Sequence, residues 1–396
     1  MRLISLLAGN GATALLSLLR NVLAAMLLSL ADYGLAASFL IIISLADMLT
    51  QFGQSALIMA DREGGSQDAL ARYHGFNLLR GSVAALAILG GAFIFAGPDV
   101  RFMFMTLAAV PFFGAFQHFR QFQLQREGRV LIAAIVPAVS AAVSLGVLFA
   151  LAQIMPDARA VLAALVAQAL VMFILSHVLS DLPYSVAFRK SDLLGDFRMG
   201  LPLLANGALL FFVLFGERLI VGQALGLEIL GLFAMGVTLT LTPSIILSKS
   251  LMAHYLPVVA REGHVARVRV MKAHALAGAF MALLVAMCGP LFVTMFLPQS
   301  FALLAIILPL MAIQQGLRLA KAGQAVVGIG LGYRSDELWI SALRIAFLPL
   351  GFVLLAGGAG LETLLWIAIV AEAAGLTLAL FFVTKRASPL VLYGAP

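Results

Sequence analysis

The chain has 396 residues, of which 63% are hydrophobic and only 11% charged, and its mean hydropathy is +1.07. Soluble domains carry about 25% charged residues, so this composition excludes a water-covered globular surface. The formal charge of +7 calls for no nucleic-acid partner, because cytoplasmic loops of membrane proteins are basic as a rule.

Apolar runs of spanning length, roughly 20 residues, recur along the whole chain. In the first half they cover 3–28, 34–60, 76–97, 101–123, 130–153 and 160–180. The first run is too long for a signal-peptide core, holds Arg20 and has no evident cleavage site, so it reads as a span. Gly97-Pro98-Asp99 separates the third from the fourth. In the second half the runs cover 200–222, 229–256, 273–297, 301–323, 337–357 and 361–384, with breaks at Pro298-Gln299-Ser300 and at 357–360. Twelve spans leave about 33 residues per helix and loop, so no room remains for a soluble domain. The expected fold is therefore an all-α integral membrane protein of about twelve transmembrane helices.

Loop charges set the orientation. Arg62, Arg72, Arg126, Arg129, Arg189, Lys190, Arg198, Arg261, Arg267, Arg269, Lys272, Arg334, Lys385 and Arg386 all follow even-numbered spans. Loops after odd-numbered spans hold little beyond Arg101 and Arg159. The positive-inside rule places both termini in the cytoplasm.

A repeat joins the two halves. At an offset of 198, Arg20 meets Arg218, Gln51 meets Lys249, Pro111 meets Pro309, Gln117 meets Gln315 and Arg120 meets Arg318. Arg62-Glu63-Gly64 and Arg261-Glu262-Gly263 match at 199. Six spans per half give both repeats the same membrane orientation. The expectation is two parallel six-helix bundles, 1–190 and 191–396, around a central cavity.

Charged residues in the spans are the candidates for function. The cations are Arg20, Arg218, Lys249, Arg318, Lys321 and Arg344; the acids are Asp47, Glu217 and Glu372; Gln51, Gln54, Asn206, Gln314 and Gln315 lie nearby. The expected substrate-cavity set is Arg20, Arg218, Lys249, Arg318, Arg344, Gln51 and Gln315. Lys249 is the leading candidate, with about seven residues left before its cytoplasmic end, whereas Arg318 and Lys321 are near enough to an end to snorkel. Asp47, Glu217 and Glu372 serve either ion coupling or charge pairing. An interior with more cations than acids favours anionic cargo, especially phosphates, to which arginine presents a fixed fork of donors.

Other chemistry is sparse. The six histidines show no metal-ligand pair on one helix face, there is no Gly-rich phosphate loop ending in Gly-Lys-Ser/Thr, and no serine or cysteine nucleophile stands in a recognisable setting. The expectation is a non-enzyme without cofactor or metal. Gly328-Ile329-Gly330-Leu331-Gly332 reads as a helix end or loop. Pro111, Pro137, Pro243, Pro290 and Pro309 lie inside spans, where each removes a backbone donor and can kink a helix.

Two stretches carry a family resemblance. One runs from Arg20 through Asp32-Tyr33-Gly34-Leu35 to Gly53. The other runs from Gly200-Leu201-Pro202 through Glu217-Arg218-Leu219-Ile220-Val221-Gly222 to Gly231-Leu232-Phe233, with phenylalanine where tyrosine is common. In these the chain resembles the polysaccharide branch of the multidrug/oligosaccharidyl-lipid/polysaccharide (MOP) flippase superfamily. The resemblance implies alternating-access flipping of a polyprenyl-diphosphate-linked oligosaccharide in a bacterial inner membrane, with Arg20 and Arg218 in a cationic cavity. The partners it implies are the lipid-linked oligosaccharide and membrane lipids, with the polymerases and glycosyltransferases of polysaccharide synthesis as further candidates and no nucleic acid expected. The alternatives are an ion-coupled drug or metabolite exporter using Asp47 and Glu372, and a non-transporting scaffold of a synthase complex.

Overall fold

The computed structural model describes residues 2–50, 58, 66–127, 129–188, 190–333 and 335–385, with the side chains of 2–10, 126, 130–131 and 190–203 outside the description. Among the described residues the regular structure is helical. In chain order the elements are α1 (Arg2–Leu27), α2 (Leu30–Thr50), α3 (Gln67–Phe95), α4 (Pro98–Thr106), α5 (Ala109–Ala115), α6 (Arg120–Arg126), α7 (Val130–Ala152), α8 (Ala158–Val178), α9 (Lys190–Glu262), α10 (Arg267–Phe296), α11 (Ala302–Leu331), α12 (Ser335–Ala346), α13 (Leu348–Ala356) and α14 (Leu361–Lys385).

Among the described residues, eight helices are long and apolar enough to cross a membrane. The longest candidate, Leu204–Phe296, exceeds a hydrocarbon core of about 30 Å several times over at helical rise. It holds three of the twelve expected runs. Gly226 breaks it with φ 83° and ψ −179°, dividing α9 into two arms, and a 3₁₀ turn at Gly263–Ala266 separates α9 from α10. The first expected span adds the shorter apolar helix Gly11–Leu27. The fourth, expected as one run over 101–123, is interrupted and becomes α4, α5 and α6. The twelve-helix layout thus stands, with the fourth span broken into three helices and the eleventh divided at Phe347 into α12 and α13.

Local signals explain the ends. Ser66 and Asp157 cap α3 and α8 through their side chains, satisfying orphan donors of the first turn. Asp157 lies in a loop, where the hydrogen bond from Arg159 holds its carboxyl below the usual range. Gly332, at φ 86°, ends α11 in the left-handed conformation, with Tyr333 N–H donating to Gly328 O at 2.7 Å. The glycine run at 328–332 is therefore a helix C-terminus of the Schellman type. The helices continue through Pro137, Pro290 and Pro309, and the non-helical break falls at a glycine instead.

The chain forms two compact units: Met1–Phe215 with Leu227–Gly231, and Gly216–Gly226 with Leu232–Pro396. In the first, α7 packs on α1 and α8, and α5 packs on α3 and α8. In the second, α11 packs on α10 and α14, and α14 also receives α12 and α13. Helices in lipid associate through close packing rather than hydrophobic drive, so small residues mark their contacts. Gly34 and Gly231, one from each motif stretch, meet inside the first unit. A Cβ on Gly34 would lie 1.8 Å from Leu227 O, and one on Gly231 would lie 2.4 Å from Leu30 O. These glycines stand in the pattern because two backbones touch there.

This contact sets opposing terms for Gly34→Ala. Alanine gains about 1 kcal/mol of helix propensity, but overpacking against backbone costs about 1–3 kcal/mol, and a carbonyl at 1.8 Å has little room to yield. Gly34→Ala is expected to lower the thermal midpoint of the detergent-solubilised protein, followed by size-exclusion chromatography. Gly90→Ala, whose Cβ meets nothing within 4 Å, should not. Equal midpoints for the two variants would contradict the contact.

Candidate functional site

The first unit encloses a polar cavity of about 450 Å³. Its wall takes Arg20 from α1, Asp47 from α2, Asn77 and Arg80 from α3, Gln117 from the break after α5, Gln121 from α6 and Gln168 from α8, with Phe119, Phe122 and Phe173 between them. Arg20 is buried, and its Nη1 donates to Ser144 Oγ at 3.0 Å and to Gln168 Oε1. Both partners are neutral, so its charge is not cancelled by them. Arg80 donates from Nε and Nη2 to Asn77 Oδ1 at 3.2 and 3.0 Å. Its Nη1 lies 3.8 Å from Asp47 Oδ1, the Asp47 side chain being 53% exposed against 14% for Arg80.

Among the described residues two donors in this wall make no hydrogen bond, although Arg80 Nη1 is in ion-pair reach of Asp47. Arg80 Nη1 and Gln117 Nε2 are buried without a hydrogen-bond partner among the described residues. A buried donor without a hydrogen bond costs about 1–3 kcal/mol, more where charged, so both groups can donate to acceptor atoms that enter the cavity. Two guanidinium groups against one carboxylate give the cavity side chains an excess positive charge. The arrangement suits a ligand that is anionic and rich in oxygen.

The cavity depends on the interruption of the fourth span. Residues 116–119 leave the helix, and irregular backbone at membrane depth is tolerated only where it is buried in protein or lines a cavity. Side chains supply the missing hydrogen bonds. Asn77 Nδ2 donates to Gly114 O and Ala115 O, both at 2.9 Å. His177 Nε2 donates to Phe116 O at 2.8 Å, and Ser176 Oγ accepts from His118 N–H at 3.0 Å. His74 Nε2 accepts from Phe119 N–H at 3.1 Å, and His118 Nδ1 accepts from Arg120 N–H at 3.0 Å. The tautomers follow: His74 must donate from Nδ1, which meets Ser185 O at 2.9 Å. The rings of His74, His118, His177 and Tyr184 also pack on one another, with centroids 4.5–5.9 Å apart. Just beyond, Arg120 pairs with Asp181 and Glu127, and its hydrogen bonding holds the Asp181 carboxyl in the following loop below the usual range.

The second unit treats its charges differently. Glu372 on α14 is fully buried and accepts from Arg318 Nε at 2.9 Å, Lys321 Nζ at 2.7 Å and Arg344 Nε at 2.9 Å. Glu217, on the first arm of α9, accepts from Arg344 Nη2 at 3.0 Å and from Gln314 Nε2 at 2.8 Å. Glu337 on α12 adds its field to Lys321 and Glu372. Three cations and three acids thus lie close together. A cation at a helix centre costs about 2.5–3.5 kcal/mol on the insertion scale, and mutual neutralisation offsets that cost.

The sequence-derived set therefore divides. Arg20 and Asp47 share the polar cavity. Arg318, Arg344, Glu217 and Glu372 form the buried ion network together with Lys321, so Arg318 and Lys321 pair with an acid rather than snorkel. Arg218 follows Glu217 and is half-buried. Lys249 is exposed and lines none of the described cavities. Gln315 is buried with its amide oxygen unpartnered, whereas its neighbour Gln314 makes the contact to Glu217. Gln51 lies outside the described residues. Arg80, Asn77, Gln117 and Gln168 were not among the expected site residues. Arg80 sits early in the third run, where a cation reads as snorkelling, and Gln168 has no partner in the repeat to mark it.

Removing one partner of a buried ion pair costs about 3–5 kcal/mol. Glu372→Gln, which leaves three cations around an uncharged amide, should therefore lower the thermal midpoint strongly. Adding Lys321→Met should recover part of the loss by restoring the balance. A second substitution that only lowers the midpoint further would contradict charge neutralisation as the role of Glu372.

A family model described as polysaccharide biosynthesis protein matches residues 22–307. No curated protein sequence matches the chain. Among solved structures, the chain is similar to an inward-facing multidrug resistance MATE family transporter of the MOP superfamily, at 14% identity and TM-score 0.74, over 97% of this chain and 96% of that one. An outward-facing transporter of the same description is 16% identical, with TM-score 0.64 over 98% and 94%. A MOP superfamily transporter from Pyrococcus furiosus, described as having a binding pocket of reversed polarity that suggests a different function, is 15% identical, with TM-score 0.64 over 99% and 95%. These identities establish the fold alone, while the family match covers most of the chain: the protein belongs to the polysaccharide biosynthesis protein family and is built on the fold of the MOP superfamily transporters.

Proposed function

We propose that the protein flips a polyprenyl-diphosphate-linked oligosaccharide across a bacterial inner membrane by alternating access, with both termini in the cytoplasm. The observation that carries this reading is Arg20, whose charge is buried in a polar cavity among neutral hydrogen-bond partners. A diphosphate supplies the missing negative charge and enough acceptor oxygens for Arg20, Arg80 Nη1 and Gln117 Nε2. Amide side chains at Asn77, Gln121 and Gln168 suit sugar hydroxyls, and the intervening phenylalanines offer apolar faces to a sugar ring. The family's assignment to polysaccharide biosynthesis supports a glycan as cargo, and the loop charges support the orientation. The fold and the family argue for transport rather than catalysis. Polymerases and glycosyltransferases of the same process are the expected neighbours.

One observation favours an ion-coupled exporter of the same fold. Asp47 is half-exposed and only loosely paired with Arg80, so it is the cavity carboxylate open to a coupling ion. Glu217 and Glu372 are already held by cations of the protein, which argues against that role for them.

Reconstitution separates these readings. Proteoliposomes should translocate a fluorescent lipid-diphosphate-linked sugar. Arg20→Ala and Arg80→Ala should each slow it at least about ten-fold, since a hydrogen bond to a charged group contributes about 1.5–3 kcal/mol. Asp47→Asn should leave a measurable rate. Full transport by both arginine variants would contradict the proposed role of the cavity. Efflux of cationic dyes that is abolished by Asp47→Asn would favour the exporter.

A further inference from the structure

The first unit has a second recess of similar size, about 470 Å³, between α2, α3 and α4. Ile42, Leu45, Leu49, Ile88, Phe95 and Phe104 form most of its wall, with alanines and Gly91 between them. Its single polar side chain, Thr50, directs its hydroxyl to Ala46 O at 2.6 Å. The recess is therefore an apolar groove, and exposed Ala87 and Phe95 lie at its rim.

Its position is informative. On α2, Ala46 lines the groove and the next residue, Asp47, lines the polar cavity. On α3, one stripe runs Asn77, Arg80, Ala84, Ile88, Gly91, Phe95. Its steps of three and four residues keep it on one helix face. The first two members line the cavity and the rest line the groove. The Asp47–Arg80 pair stands at the border between the two. A cationic, oxygen-seeking recess and an apolar one thus lie next to each other along α2 and α3, the pattern that a charged headgroup on a hydrocarbon chain would require.

Resting on the reading of the cavity as a lipid-diphosphate site, we propose that this groove holds the isoprenoid units nearest the diphosphate while the headgroup occupies the polar cavity. Apolar surface does not by itself draw a chain out of surrounding lipid, because lipid tails are equally apolar. Selectivity comes from the tether: a headgroup held at Arg20 and Arg80 keeps its own tail at high local concentration beside the groove. The groove in turn lets the tail leave the cavity without crossing polar walls. Gly91 keeps the passage open, since a Cβ there meets nothing within 4 Å. A larger side chain would therefore enter the groove without a backbone clash at its Cβ.

The test uses the full chain in nanodiscs with two probes that share one diphosphate-linked N-acetylhexosamine. One carries a long polyprenyl chain with a diazirine on an isoprene unit close to the diphosphate; the other carries a two-carbon chain. Photolysis should label α2 and α3 residues of the groove, mapped by peptide mass spectrometry, and excess unlabelled polyprenyl diphosphate should displace the label. Gly91→Leu and Ala87→Phe should cut groove labelling at least about ten-fold while binding of the short-chain probe stays unchanged. Labelling that maps elsewhere, that is not displaced, as for bulk lipid, or that survives both substitutions would overturn the groove assignment. Failure of both probes to bind the wild-type protein would instead sink the diphosphate reading beneath it.

Discussion

A guanidinium or ammonium group in the membrane interior must find partners there, and the structure is arranged around that constraint. Lipid offers no hydrogen bonds, and the insertion cost of several cations together would approach the whole stability of a typical domain, about 5–15 kcal/mol. The two units meet the constraint in different ways. In the second, Glu372 gathers Arg318, Lys321 and Arg344, and Arg344 reaches on to Glu217. One ion network thereby ties α11, α12 and α14 to the first arm of α9. In the first unit the neutralisation is incomplete: Arg20 rests on a serine and a glutamine, and Arg80 shares a distant Asp47.

That difference sets a fully paired ion network in the second unit against incompletely paired arginines in the first. The repeat itself diverges where function would need it to. Pro111 and Gln117 correspond to Pro309 and Gln315, yet α11 runs unbroken past Gln315 while the fourth span opens at residues 116–119. The opening places Gln117 and Phe119 in the cavity wall. It is maintained by Asn77, Ser176 and the histidines at 74, 118 and 177, which take over backbone hydrogen bonds that a continuous helix would make for itself. His74 and His118 accept backbone N–H groups there, and His177 donates to a backbone carbonyl.

Much of the fold was legible in the sequence, because lipid imposes a simple rule: every span must be helical and about 20 residues long. The glycine motif at 34 and 231 was visible as a pattern, and its cause is the backbone contact between α2 and the start of the second arm of α9. The cavity was legible only in part. Arg20, which lines the cavity, was singled out because a lone arginine in an apolar run stands out. Arg80 was not singled out because a cation at the fifth residue of a run reads as interfacial. Lys249 was ranked by its depth along the run, which says little about the face a helix presents, and in the structure it is exposed. The partners of Glu372 were uncertain for the same reason: three cations on α11 and α12 converge on one carboxylate only after the helices pack.

The central claim is that Arg20 and Arg80, incompletely neutralised in the first unit, hold the diphosphate of a lipid-linked sugar. Cryo-electron microscopy of the protein in nanodiscs with a polyprenyl-diphosphate-linked sugar tests it most directly. The account predicts phosphate density within hydrogen-bond reach of both Arg20 and Arg80, with the sugar among Asn77, Gln121 and Gln168. Phosphate density bound away from these arginines, with the cavity of the first unit unchanged, would contradict it.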